Sequence, residues 1–395
     1  MNICIVSHER FGPNKGGVES VCYNLAGEIL RCGNHHITHL YGNDSGTAAV
    51  PGVPTAPLPE LNAPDAIKRV REFLSLHRVD IVWNHSPAPE LNSILRAATR
   101  ENSIKIVSIY HSSPYTRFAE LRERYALALY RARYKGEWLP LLWLLLKSPL
   151  AWVNTLRKTR RELQSLVENS DLVCPLSELY VGEFVRLSGK TCKHFCAVTN
   201  PLVSAESPPL CTKKKNQLLV VARHAWKHKR IDRIIRIWHK IEAKYKDWQL
   251  VILGDGPDHD DFVEVAQRLG VQNIVFTGTR PPESYYSESK IICMTSGWEG
   301  LPMALLEAQQ YGCVPIAYES FSALPDIIEN GKTGFRIPAF NEQDFIEKLT
   351  YLMTHEEERE CMARNSMQHS RKFAVTNIAN RWLGIFNKLL SPSRS

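Results

Sequence analysis

Residues 295–318 read TSGWEGLPMALLEAQQYGCVPIAY, and the punctuation of that stretch decides the fold. An apolar run, IICM at 291–294, gives way to a small-residue turn. Pro302 follows where a first helical turn tolerates it, since an N–H there has no intrahelical partner. Met303, Ala304, Leu305, Leu306, Glu307 and Ala308 are good helix formers, and Gly312 reads as the stop. VPIAY at 314–318 is a second buried-strand run. Strand, tight turn, short helix and strand make a βαβ unit. Its turn lies at the carboxyl end of the first strand, where open parallel sheets bind ligands. The helix N-terminus there suits a phosphate, and two carboxylates, Glu299 and Glu307, flank it.

The rest of the chain repeats this alternation. Strand-like runs are expected at 2–8, 37–42, 80–86, 105–112, 171–177 and 194–200, separated mostly by helix-length spacers. A Pro-rich polar join at 200–216 precedes a second series at 217–223, 249–256, 273–279, 290–296 and 314–318. The expected fold class is α/β, with two doubly wound parallel-sheet domains.

Composition narrows the alternatives. At 395 residues, the chain is comfortable for two domains. The 44% hydrophobic and 23% charged residues are ordinary for a globular protein. MNICIVSH starts directly as a strand with no basic n-region, so no signal peptide is expected. The ten cysteines occur singly, and no second Cys/His pair at zinc spacing accompanies Cys192 and Cys196. A reduced cytosolic protein without a disulfide framework or structural metal is expected.

The net charge of +8 is localised. From Arg117 to Arg161 eleven basic residues face three acidic ones, an excess equal to that of the whole chain. Within the segment, 139–153 is apolar and Trp-bearing, interrupted by Lys147 and Pro149, and too short to span a bilayer. One reading is an interfacial hairpin docking on anionic lipid. The plainer one is a helical insertion packed on the first domain with solvated arginines. The bases cluster around an apolar centre instead of tracking a groove with spaced aromatics, which argues against nucleic acid.

The E-x7-E string in EGLPMALLEA, with its Gly-Leu-Pro turn, resembles the nucleotide-sugar signature of retaining glycosyltransferases of family 4. The resemblance implies a GT-B arrangement, two Rossmann-like domains facing a central cleft. An N-terminal acceptor-binding domain would cover 1–200, with the basic apolar insertion at 117–161. A nucleotide-sugar-binding domain would cover 201–376, and a terminal helix at 377–390 would return to the first domain. Glu299 would bond the donor sugar's hydroxyls and Glu307 the nucleotide ribose, with Gly300, Leu301 and Pro302 forming the turn between them. Carboxylates suit both tasks because they accept charge-assisted bonds from vicinal hydroxyls.

Other positions match the family in turn. After the first strand, Gly16, Gly17, Val18 and Glu19 match its GGxE loop, with a helix starting near Val18; a dinucleotide fingerprint is absent. His111 matches the histidine beside the donor sugar, and His85 a second site nearer the acceptor. In VVARHAWKHKRID, Arg223 and Lys229 match the bases that neutralise the donor diphosphate, and Arg230 stands where the family usually has Gly. Gly254 and Gly256 belong to a GDGP turn near the base and phosphates. Asp258–Asp261 contains a D-x-D string, but it follows that turn and opens a helix, where acids complement the dipole. No metal and no cofactor is expected, the nucleotide-diphosphate sugar being a co-substrate.

The implied enzyme is a retaining, metal-independent glycosyltransferase. It would use a donor that is more UDP- than GDP-like and a lipid-linked or lipopolysaccharide-type glycan acceptor in bacterial surface-polysaccharide assembly. It would act at the cytoplasmic face of the inner membrane, with peripheral attachment through 117–161 and no nucleic-acid partner. The alternatives are a nucleotide-sugar epimerase of the same fold, which would not need the insertion, and a catalytically silent scaffold, which would tolerate loss of Arg223, Lys229 or Glu307.

Overall fold

The structure is a computed structural model that describes residues 1–12, 17–44, 46, 50–203 and 214–391. The chain divides into two compact units. The first comprises Met1–Pro114, Leu156–Val203 and Phe373–Ser395, the second Tyr115–Thr155 and Ser204–Lys372.

The first unit holds strands β1 (Asn2–Glu9), β2 (His36–Asn43), β3 (Thr55–Pro57), β4 (Ile81–Asn84), β5 (Lys105–Tyr110) and β6 (Leu172–Pro175). They form a six-stranded parallel sheet in the order β3-β2-β1-β4-β5-β6. Ile3 to Val6 and Ile81 to Trp83 are fully buried, as expected of strands covered on both faces. The terminal helix Val375–Leu390 packs on the helix Gly17–Arg31. Trp382 and Phe386 from it close on Trp83 at ring separations of 4.9 and 5.2 Å.

The second unit holds β7 (Lys215–Val221), β8 (Gln249–Leu253), β9 (Ile274–Phe276), β10 (Ser289–Met294), β11 (Val314–Tyr318) and β12 (Phe335–Ile337). Their order is β12-β11-β10-β7-β8-β9, again all parallel. The helix Ile231–Ile241 buries Ile231, Ile234, Ile235, Ile237, Trp238 and Ile241 against this sheet, the stripe a 3.6-residue period predicts.

Each sheet reverses direction once. In the first unit β1 is flanked by β2 and β4, and in the second β7 is flanked by β8 and β10. At such a reversal the two connections leave the carboxyl edge in opposite directions and open a crevice. The Gly17 helix and His85 leave the edge at the first reversal, and Arg223–Lys229 and Thr295–Glu299 at the second.

Three features differ from the sequence reading. The edge strands β3 and β12, three residues each, are additions; runs this short carry no periodicity. The strand expected at 194–200 is instead a 3₁₀ turn, Cys192–His194, and an extended segment touching β6 through one bridge, Val173 to Phe195. Val198 donates to the Pro175 carbonyl at 2.9 Å, and Pro175 has no N–H to return the bond.

The third difference concerns the basic segment. Residues 115–155 group with the second unit, not the first. The segment opens with the helix Thr116–Lys135, which ends at Gly136 in the left-handed conformation (φ 71°). Leu127 and Tyr130 join the second unit's core beside Trp226 and Ile234, Tyr130 lying 4.6 Å from the Trp226 ring. Lys135 pairs with Asp261 at 2.7 Å. Connectivity alone places the segment between β5 and β6; the packing partner is encoded in side chains more than ninety residues away. If this helix is core, Leu127→Ala should lower the second unit's stability by about 2–5 kcal/mol. Leu146→Ala, at a site 83% exposed, should change it by no more than about 0.5 kcal/mol. Urea midpoints of the two variants make the comparison.

Candidate active site

The second unit's cluster is built by the reversal at β7 and β10. After β7 the chain turns through Arg223 into the short helix Trp226–Lys229, whose first N–H (Trp226) bonds Asp258 Oδ2 at 2.7 Å. After β10 it runs through Thr295–Gly297, where the Gly297 N–H donates to the His228 carbonyl at 2.7 Å. The two connections are thereby tied, and their side chains meet. Lys229 Nζ donates to Glu299 Oε1 at 2.7 Å, and His228 Nε2 lies 3.4 Å from Glu299 Oε2. The Trp298 ring lies nearly parallel to His228, their centres 4.8 Å apart.

Glu299 is 6% exposed. Burial works to raise its carboxyl, but Lys229 and then His228 outweigh that and hold it at about 2. It is therefore a carboxylate throughout the physiological range. Arg223 is exposed, and among the described residues its guanidinium has no ion pair. It remains available to an anion.

The helix that follows the turn is Met303–Gln310, with extended Pro302 at its N-cap. It ends in a Schellman arrangement: the Gly312 N–H bonds the Gln309 carbonyl and the Cys313 N–H that of Ala308, both at 3.0 Å. Gly312 adopts φ 67°, the left-handed value its position requires. Glu307 lies on this helix and accepts a 2.8 Å bond from the hydroxyl of Tyr286, itself 1% exposed. Burial raises the Glu307 carboxyl and the Tyr286 bond partly offsets it.

The GDGP turn has a steric reason. A Cβ on Gly254 would lie 2.0 Å from the Ala222 carbonyl oxygen, and one on Gly256 2.6 Å from that of His224. Both glycines let the exits of β8 and β7 lie against each other. Of the acids at 258–261, Asp258 accepts from the Trp226 N–H and Asp261 pairs with Lys135.

Among the described residues one group could offer metal ligands: His224, Asp255 and His259 have nitrogen and oxygen atoms within 4.8 Å of one another. The two histidine Nδ1 atoms are 2.9 Å apart, with ring planes within 2° and ring centres separated by 5.1 Å. That centre separation is close to the largest the N–N distance permits, so the rings are coplanar and head to head. Their lone-pair axes face each other, as in an N–H···N bond, and do not converge on a common point as metal ligation requires.

The first unit carries a histidine pair at its own reversal. His85 Nδ1 and His111 Nε2 are 3.1 Å apart. His85 is 3% exposed and packs on Trp83 with ring centres 4.8 Å apart, so in this structure it presents almost no surface to an acceptor. It orients His111 instead. Burial, then His111, drives the His85 imidazole well below its ordinary value, and burial holds His111 at about 4. Gly17 opens the helix Gly17–Arg31 with φ 65°; Gly16 lies outside the described residues.

The structure thus brings Lys229, Glu299 and Gly300 to one crevice, and His85 to His111 in the other unit. His228, Trp298 and Tyr286 were not singled out by the sequence. His228 had a signal, its place beside Lys229; Tyr286 had none, since only folding brings it to Glu307.

Comparison with known proteins bears on both units. Residues 206–369 match the family described as Glycosyl transferases group 1, and residues 15–169 match Glycosyltransferase Family 4. The fold is similar, over 98% of this chain and all of the other, to the apo form of the lipopolysaccharide outer core galactosyltransferase WaaB. The TM-score is 0.71, with 18% identity. The chain has the GT-B fold. Another GT-B similarity is to HepE from Anabaena in complex with UDP and glucose, at TM-score 0.70 and 13% identity over 98% of this chain and all of that one. Among curated relatives is the amylovoran biosynthesis glycosyltransferase AmsD of Erwinia amylovora, 28% identical over 44% of this chain and 49% of AmsD. The chain spans about half the length of the first curated relatives it matches.

The buried histidines of this GT-B chain give a pH signature. Their folded-state pKa values lie below the unfolded value, so on acidification the unfolded chain takes up protons first. Stability should therefore fall as pH drops from about 6.5 towards 4, by ~1–3 kcal/mol for His111. Urea unfolding at both ends of that window should show the loss, and His111→Gln should reduce it.

Proposed function

We propose that this chain is a retaining, metal-independent glycosyltransferase. It would move a sugar from a nucleotide-diphosphate donor, UDP-linked, to a lipid-linked or lipopolysaccharide-type glycan at the cytoplasmic face of the inner membrane. The observation that carries the reading is the Lys229–Glu299 pair at the sheet reversal, where Arg223 also leaves β7 with no ion pair among the described residues. A nucleoside diphosphate leaving group needs cations on its developing charge, and a sugar needs a fixed acceptor for its hydroxyls.

In this reading Arg223 and Lys229 hold the diphosphate, Glu299 accepts from the donor sugar and Glu307 from the ribose hydroxyls. Tyr286 holds the second Glu307 oxygen and so orients that carboxylate. His111 stands beside the sugar. The bond from the anomeric carbon to the leaving phosphate oxygen breaks as the acceptor hydroxyl attacks from the same face. The acceptor proton passes to the departing phosphate. No protein nucleophile enters, and the chain contributes position and charge.

Membrane attachment is proposed through the helix Trp138–Glu168. It has 31 residues and is long and apolar enough, by length and composition, to cross a membrane; only its apolar core, 139–153, is short. Leu139, Leu142, Trp143, Leu145, Leu146 and Leu150 are each more than half exposed, and Lys147 lies 3.6 Å over the Trp143 ring. Its far end is anchored, with Leu163, Leu166 and Val167 buried. An exposed apolar start, basic flanks and a buried finish favour lying on an anionic surface over crossing it.

Thermal unfolding with UDP, GDP and ADP tests the donor. A ligand at about 100 times its dissociation constant should add ~2.7 kcal/mol. The gain is expected with UDP alone and should vanish in Arg223→Ala and Glu307→Ala; no shift with any nucleotide defeats the reading. In a vesicle sedimentation assay, the wild type should pellet with phosphatidylglycerol-containing vesicles and not with purely zwitterionic ones. Leu146→Glu should weaken that binding by roughly tenfold or more.

A further inference from the structure

Glu123 lies on the helix Thr116–Lys135, is 1% exposed, and has no place in the sequence signature. Its carboxylate gathers three guanidinium groups. Arg230 Nη1 donates to Oε2, Arg233 Nη2 donates to both oxygens at 3.1 Å, and Arg122 Nη2 donates to Oε1 at 3.1 Å. Asp232 takes the other edge of Arg230 with bonds of 2.8 and 3.0 Å.

These arginines also grip the backbone of the turn that opens the signature. Arg233 Nη1 donates to the Thr295 carbonyl at 3.2 Å, Arg122 Nη2 to the Gly297 carbonyl at 2.8 Å, and Thr295 Oγ1 to the Arg230 carbonyl at 3.0 Å. Gly297 has no room for a side chain: a Cβ there would lie 2.7 Å from Glu123 Cγ. Its N–H is the bond to the His228 carbonyl.

Arg230 explains the departure at the position where the family usually has Gly. Its backbone is left-handed, φ 48° and ψ 44°, the conformation a glycine would adopt there. The glycine-like turn is kept, and the side chain turns inward to Glu123, not out to a ligand. The substitution and the inserted helix are therefore two halves of one contact.

We propose that Glu123 is a positioning residue for the donor site. Through Arg230 it holds the end of the Lys229 helix, and through Arg233, Arg122 and the Gly297 contact it holds the turn that carries Glu299. The inserted helix and the two donor connections then form one rigid piece. The inference rests on the donor assignment of Lys229 and Glu299.

The test is calorimetric titration of the full chain with UDP, each variant well below its own unfolding temperature. Glu123→Gln should weaken UDP binding by about tenfold or more with the circular dichroism of the folded protein retained. The double variant Glu123→Gln/Arg230→Gly should lose no more than the single one, because both act through one contact. If Glu123→Gln fails to fold, Gly297→Ala decides, since it presses on the same contact without removing a charge; a loss of about fivefold or more is expected. Unchanged UDP affinity in the folded variant, with loss in Lys229→Ala, overturns the positioning role and leaves the donor site intact. No binding of UDP, GDP or ADP by the wild type overturns both.

Discussion

The reversal of strand order at β7 and β10 is the constraint from which the candidate site follows. Two connections that leave a parallel sheet in opposite directions must open a crevice between them, and here one carries Lys229 and the other Glu299. The same reversal at β1 and β4 puts His85 at the edge of the first sheet. Neither result depends on a particular loop conformation. Both follow from parallel pairing and right-handed crossovers.

Given that crevice, burial decides the chemistry. Glu299 and Glu307 are separated by eight positions on one short segment, yet their carboxyls move in opposite directions. Lys229 and His228 hold Glu299 down, while Glu307 accepts from the Tyr286 hydroxyl and desolvation raises it. One is a fixed negative charge beside a cation; the other is a buried acceptor steadied by the Tyr286 hydroxyl. The buried Glu123 cluster applies the same rule on a larger scale. A carboxylate ringed by guanidiniums is stable while complete, and removing one member leaves the others unpaired and desolvated.

Much of this was legible without coordinates. Long apolar runs announced ten of the twelve strands among the described residues, because a strand covered on both faces cannot hide its composition. The turn and stop of the signature helix were readable at Pro302 and Gly312, where backbone geometry restricts the residue. His85 was harder. Its type and strand-end position were visible, but its depth depends on Trp83 and on the terminal helix that covers Trp83. The run at 194–200 has strand composition and lacks only a partner able to return its bonds.

The sequence by itself determined the βαβ alternation, the strand runs, the E-x7-E turn and the segment in which the excess charge lies. Those are local properties, set by side-chain period, by glycine and proline, and by a count of charges. Tertiary structure alone decided that the basic helix packs with the second sheet, that Arg230 faces Glu123 and that Tyr286 reaches Glu307. Each of these is a pairing between positions far apart in the chain. A residue's type states what it can bond, and only the folded backbone states what stands within reach.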